Sequence, residues 1–300
     1  MIDLIVAYVN GEDPVWRKQY NQYFTDDRPQ RFRDYGTLRY LLRGVEQNLP
    51  WINKVFLVVQ QKSQLPTWLN VNNHKLRIVF HDEYIPKELL PIYNTNVIQN
   101  FYHRIPDLAN NFILANDDMV FIKPQDESKW FIGEHPQQFI KVMTEDYKPT
   151  KSGMFQTILL NNIRRFNEFC KTGKQIEYKN WHLPIPYSKE VWKETWDNHY
   201  AVLYSHLTNA RRRASKNTSD WLFNHIQMYK GVVQHNPNCD TQGYFLLKDT
   251  TQPMELDELF QNNIVCLNDG ITNNKEIFAQ AISRLQNVLP NISSFELNTI

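Results

Sequence analysis

Leu4-Ile5-Val6-Ala7-Tyr8-Val9 is a short apolar run rich in β-branched residues, stopped by Asn10-Gly11 and then by Asp13-Pro14. Such a run reads as a buried strand that ends in a turn. Outward from it the pattern repeats. Leu38, Leu41, Leu42, Val45 and Leu49 recur at helical spacing, with Asp34 or Thr37 as the cap and Pro50 as the stop. Val55–Val59 and Ile78–Phe80 predict the next strands, and Asn111–Ala115 another. Strands alternating with helical stretches predict an α/β fold, a mainly parallel sheet flanked by helices. Ligands of such sheets sit outside the carboxyl ends of the strands. Three polar clusters fall at those ends: Asn10-Gly11, His81-Asp82 and Asn116-Asp117-Asp118.

From about Ser128 the pattern changes. Residues 155–170, 188–200 and 219–230 predict helices, joined by polar segments and by the Pro-rich link Trp181-His182-Leu183-Pro184-Ile185-Pro186. Asn263–Leu267 predicts one more strand, closed by Asn268-Asp269-Gly270, and residues 274–289 a last helix. The expectation is a single catalytic domain over residues 1–300. Its α/β core comes from residues 1–127 and 260–300, with the final strand returning to the sheet, and residues 128–259 form a mostly helical insertion.

Composition excludes several classes. With 33 Lys+Arg against 32 Asp+Glu, no global basic field makes nucleic acid a partner. Apolar residues at 42% and charged residues at 22% suit a packed core rather than disorder. Cys170, Cys239 and Cys266 are odd in number and far apart, which fits neither a disulfide framework nor a zinc cluster and suits a reducing cytosol. The N-terminus lacks a basic n-region and carries Asp3 in its apolar run, unlike a signal peptide, and no run approaches the ~20 apolar residues of a membrane span. The expectation is a soluble cytoplasmic protein in which the sequons at Asn217 and Asn291 arise by chance. No GxxxxGK[ST], GxGxxG or GxSxG occurs.

Asp117 and Asp118 follow the apolar run Phe112-Ile113-Leu114-Ala115. Adjacent strand residues point to opposite faces, so the two carboxylates converge only if the chain turns there. An acidic pair so placed suits a hard cation that binds one or two carboxylates together with substrate phosphates; a solvated turn is the simpler alternative. Arg31-Phe32-Arg33-Asp34-Tyr35-Gly36, with Arg39 and Arg43, sets guanidinium groups at the start and along one face of a helix, where they suit phosphate or an ordinary charged surface. Asn94-Thr95-Asn96 and Tyr102-His103-Arg104 add amide, imidazole and guanidinium groups near another helix, and Arg211-Arg212-Arg213 forms a further basic cluster. His182 and His103 are the histidines that suit a general base near neutral pH. His81-Asp82 invites a metal-phosphohydrolase reading, but it ends a strand and lacks the further ligands such a site needs.

The order of these clusters resembles the Stealth family of bacterial capsular and exopolysaccharide sugar-1-phosphate transferases, which also has an animal GlcNAc-1-phosphotransferase relative. The blocks similar to that family are Asp3–Trp16, Arg31–Arg43 continuing through Pro50–Val58, Pro66–Leu69, His81–Pro86 and Asn94–Pro124, then His182-Leu183-Pro184 with Arg211–Arg213, and Cys266-Leu267-Asn268-Asp269-Gly270. Tyr8, Asn10, Gln99 and Ile185-Pro186 depart from residues common in the family. The resemblance implies a Rossmann-like, GT-A-like sheet and an enzyme of the phosphotransferase class. It would transfer hexose 1-phosphate from a UDP-sugar to a hydroxyl of a growing capsular or cell-surface polysaccharide, with release of UMP. It implies Mg²⁺ or Mn²⁺, a lipid-linked oligosaccharide or polysaccharide acceptor, and peripheral association with the inner membrane face.

Residue by residue, catalytic roles are expected for His182, Asp34, Asp117 and Asp118; His182 is assigned as the base because it belongs to the inserted Pro-rich segment, on the side expected to face the acceptor, with Asp34 or His103 as the alternative. Substrate contacts fall to Asn10, Gly11, Arg33, Arg39, Asn94, His103, Arg104, Arg211, Arg213 and Asn268, and metal binding to Asp117, Asp118 and Asp269. The alternatives are a metal-dependent glycosyltransferase that releases UDP and a non-catalytic carbohydrate-binding protein.

Overall fold

Six residues at the amino end, Ile2–Ala7, form β1, the strand around which the rest assembles. The structure is a computed structural model that describes residues 1–25, 32–143, 153–270, 273 and 275–297. After β1 come α1 (Pro14–Asn21), α2 (Thr37–Asn48), β2 (Val55–Val59), β3 (Leu76–Phe80), α3 (Thr95–Asn100), β4 (Asn111–Asn116) and β5 (Met119–Phe121). The middle of the chain gives β6 (Phe131–Ile132), β7 (His135–Gln138), β8 (Val142–Met143), α4 (Met154–Phe169), β9 (Glu177–Tyr178), β10 (Ile185–Ser188) and α5 (Lys189–Leu207). The last elements are α6 (Trp221–Tyr229), β11 (Gln234–His235), β12 (Tyr244–Leu247), α7 (Pro253–Leu259), β13 (Ile264–Asp269) and α8 (Lys275–Val288).

The main sheet has the order β10-β4-β1-β2-β3. Its four central and outer strands β4, β1, β2 and β3 run parallel, with Leu4 beside Val55 on one side and Ile113 on the other. The α/β, mainly parallel, Rossmann-like fold expected from the alternation is therefore present, flanked by helices on both faces. Strand alternation sorts the apolar residues into two cores. Leu4, Val6, Val55, Leu57, Ile113 and Ala115 pack against α2, α8 and β13 on one face. Ile5, Phe56, Val58, Phe112 and Leu114 pack against α3, α5 and α6 on the other. Asp3 is fully buried in β1 and is satisfied there: its carboxylate accepts hydrogen bonds from Asn53 Nδ2 and from the Lys54 and Ala109 backbone N–H groups.

Three expectations need correction. First, the mostly helical insertion over 128–259 also supplies a strand of the core sheet, because β10 joins it antiparallel to β4. The Pro-rich link conceals this strand, and an edge position is where a strand tolerates Pro186, which has no N–H to give to a ladder. Second, the final strand does not return to the main sheet. β13 pairs with β5 and β12 in a separate three-stranded sheet, because the chain turns sharply at Asp117-Asp118 and carries β5 away from β4. Third, α2 is capped by neither expected side chain. Gly36 takes the N-cap position with φ 76°, and Asp34 instead accepts a hydrogen bond from the Gly36 N–H. No helix among the described residues is long and apolar enough to cross a membrane.

Candidate active site

The carboxyl ends of the parallel strands open into one cleft of about 280 Å³. Tyr8, Gln60, His81 and Asp117, each the first residue past β1, β2, β3 and β4, all line it. Asp117 and Asp118 form the two-residue turn between β4 and β5, so the turn that lets their carboxylates converge is present. Strand β13 holds it from below: the Leu267 N–H donates to the Asp118 carbonyl at 3.0 Å, and the Cys266 thiol lies beside the Asp118 carboxyl. Burial, then the charges of Asp118 and Asp34, push the Asp117 carboxyl well above the usual carboxylate range. Burial also raises Asp118, against the pull of His182, and Asp118 Oδ1 is buried without a hydrogen-bond partner.

A segment running from Phe32 to Gly36 closes one side. It lies against Gly11, whose N–H donates to the Phe32 carbonyl at 2.9 Å and which has no Cβ to hold it off. From this segment Asp34 accepts a 2.5 Å hydrogen bond from the Tyr8 hydroxyl at the cleft wall. Arg33 reaches the other way and pairs with Asp269 at 2.6 Å, while the Tyr35 hydroxyl donates to the same carboxylate. Burial, and next the Asp34 charge, drive the Tyr8 hydroxyl far above its ordinary value, so it remains a proton donor to Asp34.

The opposite wall comes from the second half of the chain. Ile185 faces Leu114 in the antiparallel pairing of β10 with β4, so the residues just before β10 run back along β4 toward its acidic end. That path explains why His182 meets Asp118. Burial pushes the His182 imidazole below its usual value; Asp118 pulls it up, and Arg213 pushes it down again. The ring is thus neutral near pH 7, the form a general base needs. Its edge packs on Tyr244 with centroids 5.1 Å apart, and Arg213 and Asn268 complete the lining.

The family profile described as Stealth protein CR2, conserved region 2, matches residues 31–139, which contain the Phe32–Gly36 segment and the Asp117-Asp118 turn. The capsular polysaccharide phosphotransferase WcwK of Streptococcus pneumoniae is 30% identical over 99% of each chain. The chain belongs to the Stealth family. The receptor polysaccharide phosphotransferase WefC of Streptococcus oralis matches equally, 30% identical over 99% of each chain. Among solved structures, the galactosyltransferase LgtC in complex with donor and acceptor sugar analogues overlaps loosely, with a TM-score of 0.46 and 10% identity over 97% of this chain and 96% of that one.

Within this Stealth chain, the residues singled out from sequence divide in two. Asp117, Asp118, His182, Arg213 and Asn268 line the cleft directly, and Asp34 reaches it through Tyr8. Asp269 pairs with Arg33, and neither is among the residues that line the cleft. Asn10 spends its side-chain oxygen on the Glu12 N–H, and Gly11 contributes close backbone packing. Arg39 lies over Trp68 and pairs with Glu296 at 3.3 Å. Asn94 caps α3 and donates to the Ala210 carbonyl and the Asn217 side chain, anchoring the loop that carries Arg213. Arg211 donates to the Leu90 and Pro91 carbonyls.

His103 and Arg104 are not brought to the cleft. They precede β4, near Lys189 at the amino end of that strand, where His103 stacks on Trp196 and is pushed down to about 4, chiefly by burial, while Arg104 is exposed. Arg31 lies outside the described residues. Asn217 is fully buried and hydrogen-bonded, so its sequon is not a glycan acceptor in the folded chain. Sequence reasoning passed over Tyr8, Gln60 and Thr95 as site residues. Position alone marked Gln60, directly after a strand of a parallel sheet, whereas Tyr8 was concealed inside the apolar run that reads on to Val9.

Proposed function

We propose that this protein transfers hexose 1-phosphate from a UDP-sugar to a hydroxyl of a growing capsular or cell-surface polysaccharide, forming a phosphodiester and releasing UMP. The observation that carries this reading is the meeting, in one cleft, of an acidic turn with a neutral imidazole and a guanidinium: Asp117-Asp118, His182 and Arg213. Full-length relatives named as polysaccharide phosphotransferases support the reaction class.

In this reaction the acceptor oxygen bonds to the β-phosphorus, and the bond from that phosphorus to the α–β bridging oxygen breaks. The electron pair leaves with UMP, and His182 takes the hydroxyl proton. The sugar's C1–O bond survives, so the anomeric configuration is retained. Such chemistry asks the protein for positioning and for charge stabilisation rather than for covalent steps. Arg213 offers a planar fork to non-bridging phosphate oxygens.

Mg²⁺ or Mn²⁺ fits the acidic turn. Two carboxylates crowd there, Asp117 raised in part by its neighbour, with a buried Asp118 oxygen that no donor satisfies. Among the described residues no group of three or more His, Cys, Asp or Glu is gathered to hold a metal alone, which suits a cation that shares its shell with substrate phosphates. When bound, the cation would neutralise charge on the diphosphate. On this reading the protein works in the cytoplasm and meets a lipid-linked or polymeric acceptor at the inner membrane face.

Incubation with a panel of UDP-sugars, with and without Mg²⁺, and identification of the nucleotide released tests the proposal. UMP, with activity abolished by EDTA and by Asp118→Ala, is expected. Release of UDP would establish glycosyl transfer instead, and full activity in chelator would remove the metal.

A further inference from the structure

A second pocket, of about 110 Å³, lies behind the cleft and shares Thr95, Asn116, His182 and Arg213 with it as a common wall. Its other walls differ in character. On α3, Asn96 and Gln99 are only 4% and 6% exposed. The Asn96 Nδ2 is buried without a hydrogen-bond partner, and the Gln99 amide lines the same pocket. Buried amides are normally satisfied within the protein, so one that lines an opening and is not satisfied marks a place where something else supplies the partner. Across from them, Phe155 on α4 and Trp221 at the start of α6 meet edge to face with centroids 5.7 Å apart, and Phe155 is 48% exposed.

A pocket lined by aromatic rings and by amides, one of them unsatisfied, matches one chemical class well. A pyranose ring has an apolar C–H face, which packs on aromatic rings, and equatorial hydroxyls, which hydrogen-bond to amides. We propose that this pocket binds the acceptor, a terminal hexopyranose of the glycan, with Gln99 and Asn96 reading its hydroxyls and Trp221 supporting its ring. The proposal rests on the sugar-1-phosphate transfer reading above. It gives that reading a direction: the donor diphosphate lies on the Asp117-Asp118 side, and the attacking hydroxyl arrives past His182 through the shared wall. Gln99 and Trp221 then set acceptor specificity.

The test uses the full chain and two binding measurements. Methyl hexopyranosides of glucose, galactose and their N-acetylamino forms are titrated into the UDP-loaded protein and followed by saturation-transfer NMR, and UDP is titrated separately by calorimetry. Gln99→Leu, nearly the same volume, and Trp221→Leu should each weaken glycoside binding by about tenfold or more, as the loss of one good contact does, and keep wild-type UDP affinity. UDP affinity reports that the variants are folded. If the wild type binds none of the glycosides, or both folded variants bind them as the wild type does, the acceptor assignment is overturned. If the wild type binds glycosides but never UDP, the donor reading fails while the pocket stands.

Discussion

Gly11→Ala should damage the site from outside it. A Cβ built at Gly11 would lie 2.9 Å from the Phe32 carbonyl carbon and nearer still to its oxygen, whereas ordinary contact starts at 3.4 Å. Relieving that overlap moves the Phe32–Gly36 segment outward by about 1 Å, because the obstacle is backbone and not the end of a flexible side chain. The same movement breaks the Gly11 N–H hydrogen bond to the Phe32 carbonyl. The displaced segment carries Asp34, held 2.5 Å from the Tyr8 hydroxyl, and Arg33, held 2.6 Å from Asp269. Neither pair survives a shift of that size at its present geometry. Overpacking of this kind destabilises by roughly 1–3 kcal/mol. A misplacement of about 1 Å in a positioned group lowers turnover on the order of 10²-fold. Urea melts and initial rates of UMP release measure the two effects separately. Gly133→Ala is the control: its φ of 61° makes a side chain strained, yet no atom lies within 4 Å of the new Cβ. That variant should lose about 1 kcal/mol and retain turnover. Wild-type rates in Gly11→Ala, or equal loss of rate in both variants, would refute the claim that this segment positions the cleft.

Three further outcomes are expected. His182→Ala should lower turnover roughly 10²–10⁴-fold while UDP still binds; because burial and Arg213 together outweigh Asp118 and hold the imidazole below its usual value, the wild-type rate should fall only as pH drops below about 6.5. A pH–rate profile whose acid limb persists unchanged in the variant excludes His182 as the base. Arg213→Lys should reduce turnover by about tenfold or more, since Lys lacks the planar fork, whereas Arg104→Lys, exposed at the far end of the sheet, should turn over like the wild type; the reverse ranking would show that Arg104 reaches the substrate. Burial holds His225 down to about 4, so below pH 6.5 the unfolded chain binds a proton that the folded chain refuses, and stability falls by up to about 1.4 kcal/mol per pH unit between 6.5 and 4 on its account. Urea melts at pH 6.5, 5.5 and 4.5 should show His225→Gln with a slope shallower by about one proton, even though Asp220, pushed up to about 6, contributes in the opposite sense; parallel slopes would contradict the assignment.

What the sequence disclosed followed from how locally each feature is determined. β2 is read correctly at Val55–Val59 because five consecutive apolar, mostly β-branched residues have no alternative in a sheet buried on both faces. β1 ends earlier than its apolar run, at Ala7, because Tyr8 and Val9 are apolar for the cleft and not for the strand. β10 stayed hidden behind Pro184 and Pro186, since edge pairing is a property of the partner strand and not of the segment. The arginines show the same limit most sharply. Nothing in Arg39, Arg104 and Arg213 themselves separates a phosphate ligand from a surface charge; the separation comes from Glu296, from which end of β4 the chain places Arg104 beside, and from the shared wall of two pockets, all set by the tertiary fold.

The two halves of the site must also stay in register, and buried amides help to keep them so. Asp117-Asp118 belongs to the β4–β5 turn, while Arg213 belongs to a loop almost a hundred residues later. Between them runs a network of buried amides. Asn94, fully buried, donates to Ala210 O and to Asn217 Oδ1; Asn217 in turn accepts from the Ala214 N–H and donates to His206 O. A loop braced by neutral, satisfied amides gains rigidity from bonds that do not depend on the charge of a bound diphosphate or cation. The ion pair of Arg33 with Asp269 fixes the Phe32–Gly36 segment to β13 on the other side of the cleft. Buried amides on the His182 side and a charged clasp on the Asp34 side therefore hold the two walls by different means, so that loss of either brace should loosen its own wall first.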